Sequence, residues 1–593
     1  MSKAVPKKKL KPIPPGWDSQ LALLAWLATC VSVFSFLFFY QRGDVLLYGD
    51  AVAHINIARR VFDSKTPGLL QLGTVWLPLP HLLMIPFLVS DDLWIRGAGG
   101  SIPSMAGYVF GVVGIFRLVR GVFTPGISAS RLLSPTAPAS EISSTELRAD
   151  ATARFAAWTA AIVYAANPNL IYMQATAMGE AVYLAFFIWS VVYFGEYLRD
   201  DQKALLKCGA CVAAACLTRY DGWLLAAVLT GWVIVRTFMS SSAKNQASAQ
   251  LAKQTSGKKV TGLSGVRSSM LKFVFLAVAA PVLWLAYNAV VYRNPLEFEN
   301  GPYSAKAIER KTQSGGNHGH PGSRNVFVAG MYFLKAAEEN VAENQWLQRA
   351  WILLAVASLI VAVATKATKE FPVAHAAWPM LFLFALPLPF YALSVAYGGV
   401  PVFVPPWWPF TYYNLRYGLQ LLPLFAVALA VIVFLAARSL SGIRLSSAVV
   451  IGVCAIVIAS YASVWRAGPE SLKEAQVNMR IRNQFEKSLA DWLKHLPPDS
   501  TLLMYLGDHV GTLEQAGISL RHVINEGNHR VWKQPSDPDG LWERALANPS
   551  KFADYVVAFE GDPVWQAVQS QHLREMIEMH TTGQARVAVY RAR

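Results

Sequence analysis

The stretch LALLAWLATCVSVFSFLFFY, residues 21–40, is an unbroken apolar run without a charged side chain. A helix of this length is about 30 Å long, which matches the hydrocarbon core of a bilayer. The polar start of the chain, residues 1–15, carries five lysines. A cleaved signal peptide has a shorter apolar core followed by a small-residue cleavage site. The stretch therefore predicts a membrane anchor, with a basic tail, residues 1–20, in the cytoplasm.

The composition of the whole chain also indicates a membrane protein. Hydrophobic residues make up 54% of the 593 residues and charged residues only 15%, whereas an average globular chain is about 25% charged. These proportions exclude a disordered, collagen-like or disulfide-scaffold protein. The pair Cys208 and Cys211 lies in an apolar run and is interpreted as small residues that pack between helices. The net charge of +16 is assigned mainly to cytoplasmic loops, so no nucleic-acid partner is expected.

Further apolar runs predict a mainly α, polytopic membrane protein with about eleven transmembrane helices. The run at 80–89 is too short to cross a bilayer and is interpreted as a re-entrant or interfacial helix. With this topology, lysine and arginine concentrate in the loops placed in the cytoplasm, as expected in a cell membrane. The predicted spans lie at residues 21–40, 101–118, 152–168, 177–197, 204–218, 222–239, 271–291, 350–365, 376–396, 418–437 and 446–464.

The predicted domain organisation has a cytoplasmic tail (1–20), a transmembrane domain (21–465) and an extracytoplasmic domain (466–593). The transmembrane domain carries three outer connections, at 41–100, 292–348 and 397–416. The last domain is polar enough to fold as a small α/β unit. Its helical pattern covers 470–496, and its strand patterns lie at 501–506, 555–559 and 586–590.

The segment LYGDAVAHINIARR, residues 47–60, follows the first span and holds the first candidate for chemistry. Asp50 and His54 are four residues apart and share one face of a helix. A carboxylate beside an imidazole can act as a general base, while the imidazole orients a substrate. The alternative is that Asp50 only caps the helix. The segment QLGTVWLPLPH, residues 71–81, adds Trp76 and His81 as candidate contacts.

Several motifs in order resemble the GT-C superfamily of integral-membrane glycosyltransferases, which use polyprenyl-phosphate sugars. The protein mannosyltransferase and aminoarabinose transferase-like branch is the most similar. The resemblance covers roughly the first 465 residues, and it begins with the single span followed by an acidic, Pro-containing outer loop. It continues through MGEAVYL (178–184), LTRYDGW (217–223), YRNPLEF (292–298) and NLRYG (414–418) with Pro423.

The resemblance implies that a sugar moves from a polyprenyl-phosphate donor to a lipid, glycan or protein acceptor, with inversion and with Asp50 as general base. It further implies that arginines at outer span ends stabilise the leaving phosphate. No WWDxG motif occurs, since Trp407-Trp408 is followed by Pro409; this counts against the oligosaccharyltransferase branch and against a catalytic metal or other cofactor. The expected substrate-binding residues are His54, Trp76, His81, Glu180, Arg219, Tyr220, Asp221, Tyr303, Lys306, Arg416 and Tyr417.

Other interpretations remain open at this stage. A transporter or lipid flippase would have internal repeats and ionisable residues at mid-span, whereas here the charges cluster at span ends. A non-enzymatic membrane protein could use residues 466–593 to recruit a partner. The Gly-rich loop 301–324 is expected to be mobile and to cover the site as a lid. Its His318 and His320 are weak metal candidates, because a third ligand is missing.

Overall fold

The computed structural model describes residues 19–124, 144–199, 201–252, 263–314, 319–364, 372–439, 443–507, 509–528 and 539–593. Helices dominate as far as the tail. In chain order they are α1 (Ser19–Gln41), α2 (Gly49–Arg60), α3 (Leu79–Met84), α4 (Asp91–Ile95), α5 (Ala98–Phe123), α6 (Ser144–Ala165), α7 (Pro168–Met173), α8 (Glu180–Leu198), α9 (Gln202–Cys216), α10 (Asp221–Ala252), α11 (Leu263–Tyr292), α12 (Glu297–Asn300), α13 (Ala305–Ser314), α14 (Val326–Glu339), α15 (Gln345–Ala364), α16 (Pro372–Phe384), α17 (Pro387–Tyr397), α18 (Leu422–Ser439) and α19 (Ile443–Ala467).

The described residues contain nine helical stretches that are long and apolar enough to cross a membrane. The chain is therefore a polytopic α-helical membrane protein, as the sequence predicts. Of the predicted spans, those at 152–168 and 204–218 also form helices, α6 and α9, but they are not among the nine. The difference has a simple cause in α9, because its 15 residues are shorter than a full crossing. This helix packs against α8 and α11 within the bundle.

The first outer segment is built from short elements between α1 and α5. Two glycines with positive φ, Gly43 and Gly73, allow the tight turns before and after α2. The predicted short helix at 80–89 is found as α3 followed by a 3-10 turn, Ile85–Phe87. At six residues, α3 is far too short to span a bilayer.

The tail folds as the predicted small α/β unit. It begins with a long helix, α20 (Glu470–Leu493), which confirms the helical pattern at 470–496. The strands are β1 (Leu502–Met504), β2 (Val523–Ile524), β3 (Tyr555–Phe559), β4 (Arg574–Met579) and β5 (Val587–Arg591), joined by α21 (Gly511–Ala516), α22 (Leu541–Ala547), α23 (Pro549–Phe552) and α24 (Pro563–Val568).

The five strands form one mixed sheet in the order β2-β1-β3-β5-β4. Its centre is parallel, with Leu503 of β1 opposite Val556 of β3, and the β3–β5 and β5–β4 pairs are antiparallel. The three predicted strands correspond to β1, β3 and β5. The short β2 and the exposed edge strand β4 lack a clear apolar alternation and are not predicted from the sequence.

Buried polar contacts join the tail to the first outer segment. Asp63 is fully buried and accepts hydrogen bonds from the Ser519 hydroxyl at 2.5 Å and the Arg521 guanidinium at 3.0 Å. On its other side it pairs with Arg59 at 2.7 Å. Burial raises the pKa of Asp63, but these hydrogen bonds outweigh it and lower the pKa below its ordinary value. The contacts hold the tail against the segment that carries Asp50.

Candidate active site

A cavity of 1830 Å³ lies where the first outer segment, the span ends and the tail meet. One face of α2 forms a wall of this cavity. The first residues of three candidate spans, Glu180–Leu198, Asp221–Met239 and Leu415–Arg438, lie beside it. These span ends therefore share one side of the membrane with α2, as the predicted topology requires. The tail adds a further wall, formed by Tyr505, Leu506, Gly507, Val510, Glu526 and Gly527.

Asp50 is the second residue of α2 and faces the cavity. The helix begins at Gly49 with Tyr48 as its N-cap, and no side chain caps it. The alternative that Asp50 serves only as a helix cap is therefore wrong. A carboxylate in the first turn is still favoured by the helix dipole. Its side chain instead contacts the guanidinium of Arg416, so a partner from far along the chain orients it.

Arg416 is the centre of a buried ionic cluster. Its guanidinium contacts Asp50, lies 3.3 Å from Glu180 through Nε, and lies 2.7 Å from Glu474 through a terminal nitrogen. Glu474 also accepts hydrogen bonds from the backbone N–H groups of Asn414 at 2.9 Å and Arg416 at 3.1 Å. The backbone and the side chain of Arg416 are thus held by the same carboxylate.

Arg219 forms the second half of the cluster. It donates to Glu180 at 3.1 Å and to the Tyr391 hydroxyl at 2.8 Å, and it lies 3.6 Å from Asp221. Tyr391 in turn donates to Asp221 at 3.1 Å. The ring of Tyr417 lies beside both arginines, with its centroid 4.8 Å from the Arg219 guanidinium and 5.1 Å from that of Arg416. Aromatic faces stabilise such closely spaced cations.

Exposure separates the four carboxylates of the cluster. The side chains of Glu180, Asp221 and Glu474 are 1–2% exposed, whereas that of Asp50 is 41% exposed. The three buried carboxylates hold the arginines and expose almost no surface to an incoming molecule. Asp50 combines a fixed guanidinium contact with an accessible carboxylate. Among the four, it is the one that can take a proton from a bound substrate.

His54 lies one helical turn after Asp50 and also lines the cavity. Its Nδ1 is 2.8 Å from Nε2 of His81, and its ring lies 4.9 Å from that of Trp76. Burial lowers the pKa of His54 and lowers that of His81 well below its ordinary value. Both rings are therefore neutral at pH 7, and one donates a hydrogen bond to the other. His81 is fully buried behind His54 and, unlike Trp76, does not line the cavity.

The remaining predicted residues lie along the cavity wall. The Tyr220 hydroxyl donates to the Val75 carbonyl at 3.1 Å, and Lys306 pairs with Glu299. Tyr303 faces the tail, with its hydroxyl 3.5 Å from that of Tyr505. The predicted mobile loop is instead helical over Ala305–Ser314, where the sequence is rich in good helix formers. His318 lies outside the described residues, and His320 is 3.2 Å from Glu309.

Two residues of the ionic cluster beside the cavity, Glu474 and Tyr391, escape the sequence reasoning. Glu474 lies in the polar helix α20, which the sequence assigns to the tail domain, and nothing in the local pattern links it to Arg416. Tyr391 lies in an apolar span, where a tyrosine is an ordinary packing residue. Within the described residues, no group of three histidine, cysteine, aspartate or glutamate side chains is arranged to hold a metal ion. The expectation of a reaction without a metal stays a prediction.

No protein-family model and no curated protein sequence matches the chain. Among solved structures, it is similar to crystal structures of the Archaeoglobus fulgidus oligosaccharyltransferase, one in the apo form and one tethered through a disulfide bond to an acceptor peptide containing the NVT sequon. For both, the TM-score is 0.42 and the sequence identity 11%. The matches cover 95–96% of this chain and 74% of the other.

By their names these neighbours are oligosaccharyltransferases, whereas the sequence motifs resemble the protein mannosyltransferase and aminoarabinose transferase-like branch of the GT-C superfamily. The resemblance to that superfamily and the branch both stay predictions. The similarity is too low to transfer a residue or an activity. What the chain does is therefore argued from its own cavity.

Proposed function

We propose that the chain is a membrane glycosyltransferase that moves a sugar from a polyprenyl-phosphate donor to an acceptor hydroxyl or amide, with inversion at C1. One observation carries the proposal: an accessible carboxylate, Asp50, is fixed by Arg416 inside a large cavity at the ends of membrane spans. A lipid-linked donor can reach such a cavity from the bilayer. The motif order adds support, because Glu180, Arg219 and Arg416 belong to the segments that resemble this enzyme class.

In the proposed reaction, the oxygen or nitrogen atom of the acceptor attacks C1 of the sugar, while the carboxylate of Asp50 accepts the proton of that acceptor group. The bond between C1 and the phosphate oxygen breaks, and polyprenyl phosphate leaves with its bonding electrons. A single displacement of this kind inverts the anomeric centre. General-base assistance contributes roughly 10²–10⁴-fold to such reactions. His54, neutral and fixed by His81, offers a ring edge to orient the acceptor.

The leaving phosphate gains negative charge, and the two arginines beside Asp50 are the candidates to stabilise it. A guanidinium has five N–H groups, and the contacts of Arg416 with carboxylates do not use all of them. The remaining N–H groups can bind the phosphate without breaking the cluster. Glu180, Asp221 and Glu474 then act as positioning residues, which fix the direction in which both guanidiniums point.

The donor's sugar and polyprenol are left open by this site, and the acceptor can be a lipid, a glycan or a protein. By the charge distribution of the sequence, the proposed location is the cell membrane, with the N-terminus in the cytoplasm and the cavity on the outer side. Membrane lipids surround the spans, and no nucleic-acid partner and no cofactor is proposed.

The test is sugar transfer from a labelled polyprenyl-phosphate sugar by the full-length protein in membranes, comparing Asp50→Asn with the wild type. We expect the rate to fall by roughly 10²-fold or more, because the amide cannot accept the proton. Asp92→Asn is the matched control, since Asp92 is 65% exposed in the same outer segment and pairs with the exposed Arg96. The control is expected to transfer at the wild-type rate. Wild-type transfer by Asp50→Asn would refute the general-base assignment.

A further inference from the structure

Arg60 lies on the same face of α2 as the candidate base. Asp50, His54, Ile57 and Arg60 follow one another at helical spacings of four, three and three residues, and all four line the cavity. The helix therefore presents a carboxylate at one end of this face and a guanidinium at the other. Ten residues of helix separate the two Cα atoms, which is about 15 Å.

Arg60 differs from Arg219, Arg416 and Lys306, the paired cations of the cavity, because it forms no ion pair with a described carboxylate. Its Nε is buried and has no hydrogen-bond partner in the described part of the chain, and no ion pair forms with a described carboxylate. Arg219 and Arg416 are held by the buried cluster, and Lys306 pairs with Glu299. Arg60 itself is half-buried, but its Nε–H group is shielded from water without a described acceptor, which is unfavourable, and an anion bound in the cavity would supply that acceptor.

The surroundings of Arg60 leave its charge available. The charge of Arg60 acts on the carboxylate of Glu526 in the tail, but this carboxylate accepts hydrogen bonds from the backbone N–H groups of Leu506 at 2.9 Å and Gly507 at 3.1 Å rather than from Arg60. Burial raises the pKa of Glu526, and the charge of Arg60 and the backbone hydrogen bonds only partly oppose this shift. Arg60 is thus a cation between the transmembrane domain and the tail.

We infer that Arg60 binds an oxyanion of the phosphate class that is carried by the acceptor substrate. The inference rests on the proposed function, because it divides the cavity between two substrates. The donor phosphate is bonded directly to the reacting C1, so it must lie within a few ångströms of Asp50 and the paired arginines. An anion bound near Arg60, at the far end of α2, instead belongs to a molecule that extends away from the reacting atoms. The acceptor is such a molecule, and the tail forms the wall along which it extends.

The test is a binding measurement on the purified full-length protein in detergent, with two probes and no sugar transfer. The probes are inorganic phosphate, for a freely placed oxyanion, and farnesyl phosphate, for the lipid phosphate of a donor. Arg60→Gln is expected to lower the affinity for inorganic phosphate at least 10-fold, which is typical for loss of a charged hydrogen bond. The affinity for farnesyl phosphate is expected to stay within about twofold of the wild type. Lys311→Gln, which removes a solvent-exposed cation of the same cavity, is the control and should change neither affinity.

Each outcome decides a separate point. If Arg60→Gln lowers the affinity for farnesyl phosphate as much as that for inorganic phosphate, Arg60 binds the donor and the assignment to the acceptor is wrong. If neither affinity changes, the anion site is wrong. If Arg60→Gln does not fold, Arg60→Met replaces it, because an apolar chain of similar length fills the same space without the charge. Phosphate binding through Arg60 in a protein that transfers no sugar would contradict the proposed function alone.

Discussion

Replacing Glu474 by glutamine tests whether the tail helix controls the cluster around Asp50. The two carboxylate oxygens of Glu474 accept three N–H groups: those of the Arg416 guanidinium, the Arg416 backbone and the Asn414 backbone. A glutamine amide offers one acceptor oxygen, and its NH₂ group would face another donor. The substitution therefore keeps the size of the side chain but removes a charge and reverses one hydrogen bond.

The expected loss of stability in Glu474→Gln follows from the burial of Glu474 and Arg416. Glu474 is 1% exposed and the Arg416 side chain 5% exposed, so the pair is shielded from water. Removing one partner of a buried ion pair lowers the free energy of unfolding by about 3–5 kcal/mol. Part of this is recovered because Arg416 keeps its contacts with Asp50 and Glu180, so we expect a loss of about 2–4 kcal/mol. A displaced guanidinium also moves the base, and a shift of about 1 Å at a reacting group can cost roughly 10²-fold in rate.

The assay combines thermal unfolding of the full-length protein in detergent with sugar transfer in membranes. Glu474→Gln should lower the unfolding temperature and reduce transfer at least 10-fold. Glu343→Gln is the matched control, because the Glu343 side chain is 44% exposed and its pairing with Lys473 at 3.5 Å is worth little in water. Unchanged stability and unchanged transfer in Glu474→Gln would show that the buried cluster does not position Arg416.

Three further predictions concern the contacts around the cavity. Burial lowers the pKa of His81 well below 6.5, so the wild type loses stability as the pH falls below 6.5, where the unfolded chain takes up a proton and the buried ring does not. The unfolding temperature of the wild type minus that of His81→Gln should therefore shrink from about pH 8 to about pH 5. A constant difference would contradict a buried neutral ring. Asp63→Asn should weaken the docking of the tail by about 1–3 kcal/mol, because its contacts to the tail are one hydroxyl and one mostly exposed guanidinium; faster proteolytic release of the tail would show this, and wild-type resistance would contradict it. Tyr391→Phe leaves Asp221 without its hydroxyl donor and should cost about 1–3 kcal/mol of stability, whereas an unchanged unfolding temperature would show that this hydrogen bond is dispensable.

The apolar spans could be predicted because they depend on local composition alone. Each predicted run became helical, the run at 376–396 as the two helices α16 and α17, and the positions of Glu180, Arg219 and Arg416 at span ends follow from the same pattern. The tail strands β3 and β5 alternate or concentrate apolar residues in the usual way, so they were also predictable. These features require no knowledge of which elements meet in space.

The contacts between distant segments could not be predicted. Glu474 is a polar residue on a polar helix, and its link to Arg416 depends on how α20 packs against the start of the span Leu415–Arg438. The folding of the tail likewise brings Glu526 to the cavity wall opposite α2. His81 illustrates the opposite error: its polar side chain suggested a substrate contact, but packing places it behind His54. In each case the decisive information is long-range geometry, which a single sequence does not carry.

The most direct measurement is an experimental structure of the full-length protein with a polyprenyl phosphate bound. The account predicts that the phosphate lies in the cavity beside Asp50, within hydrogen-bonding distance of Arg416 or Arg219, with the polyprenyl chain leaving towards the bilayer. A phosphate bound outside the cavity, or one in contact with neither arginine, would contradict the proposed active site.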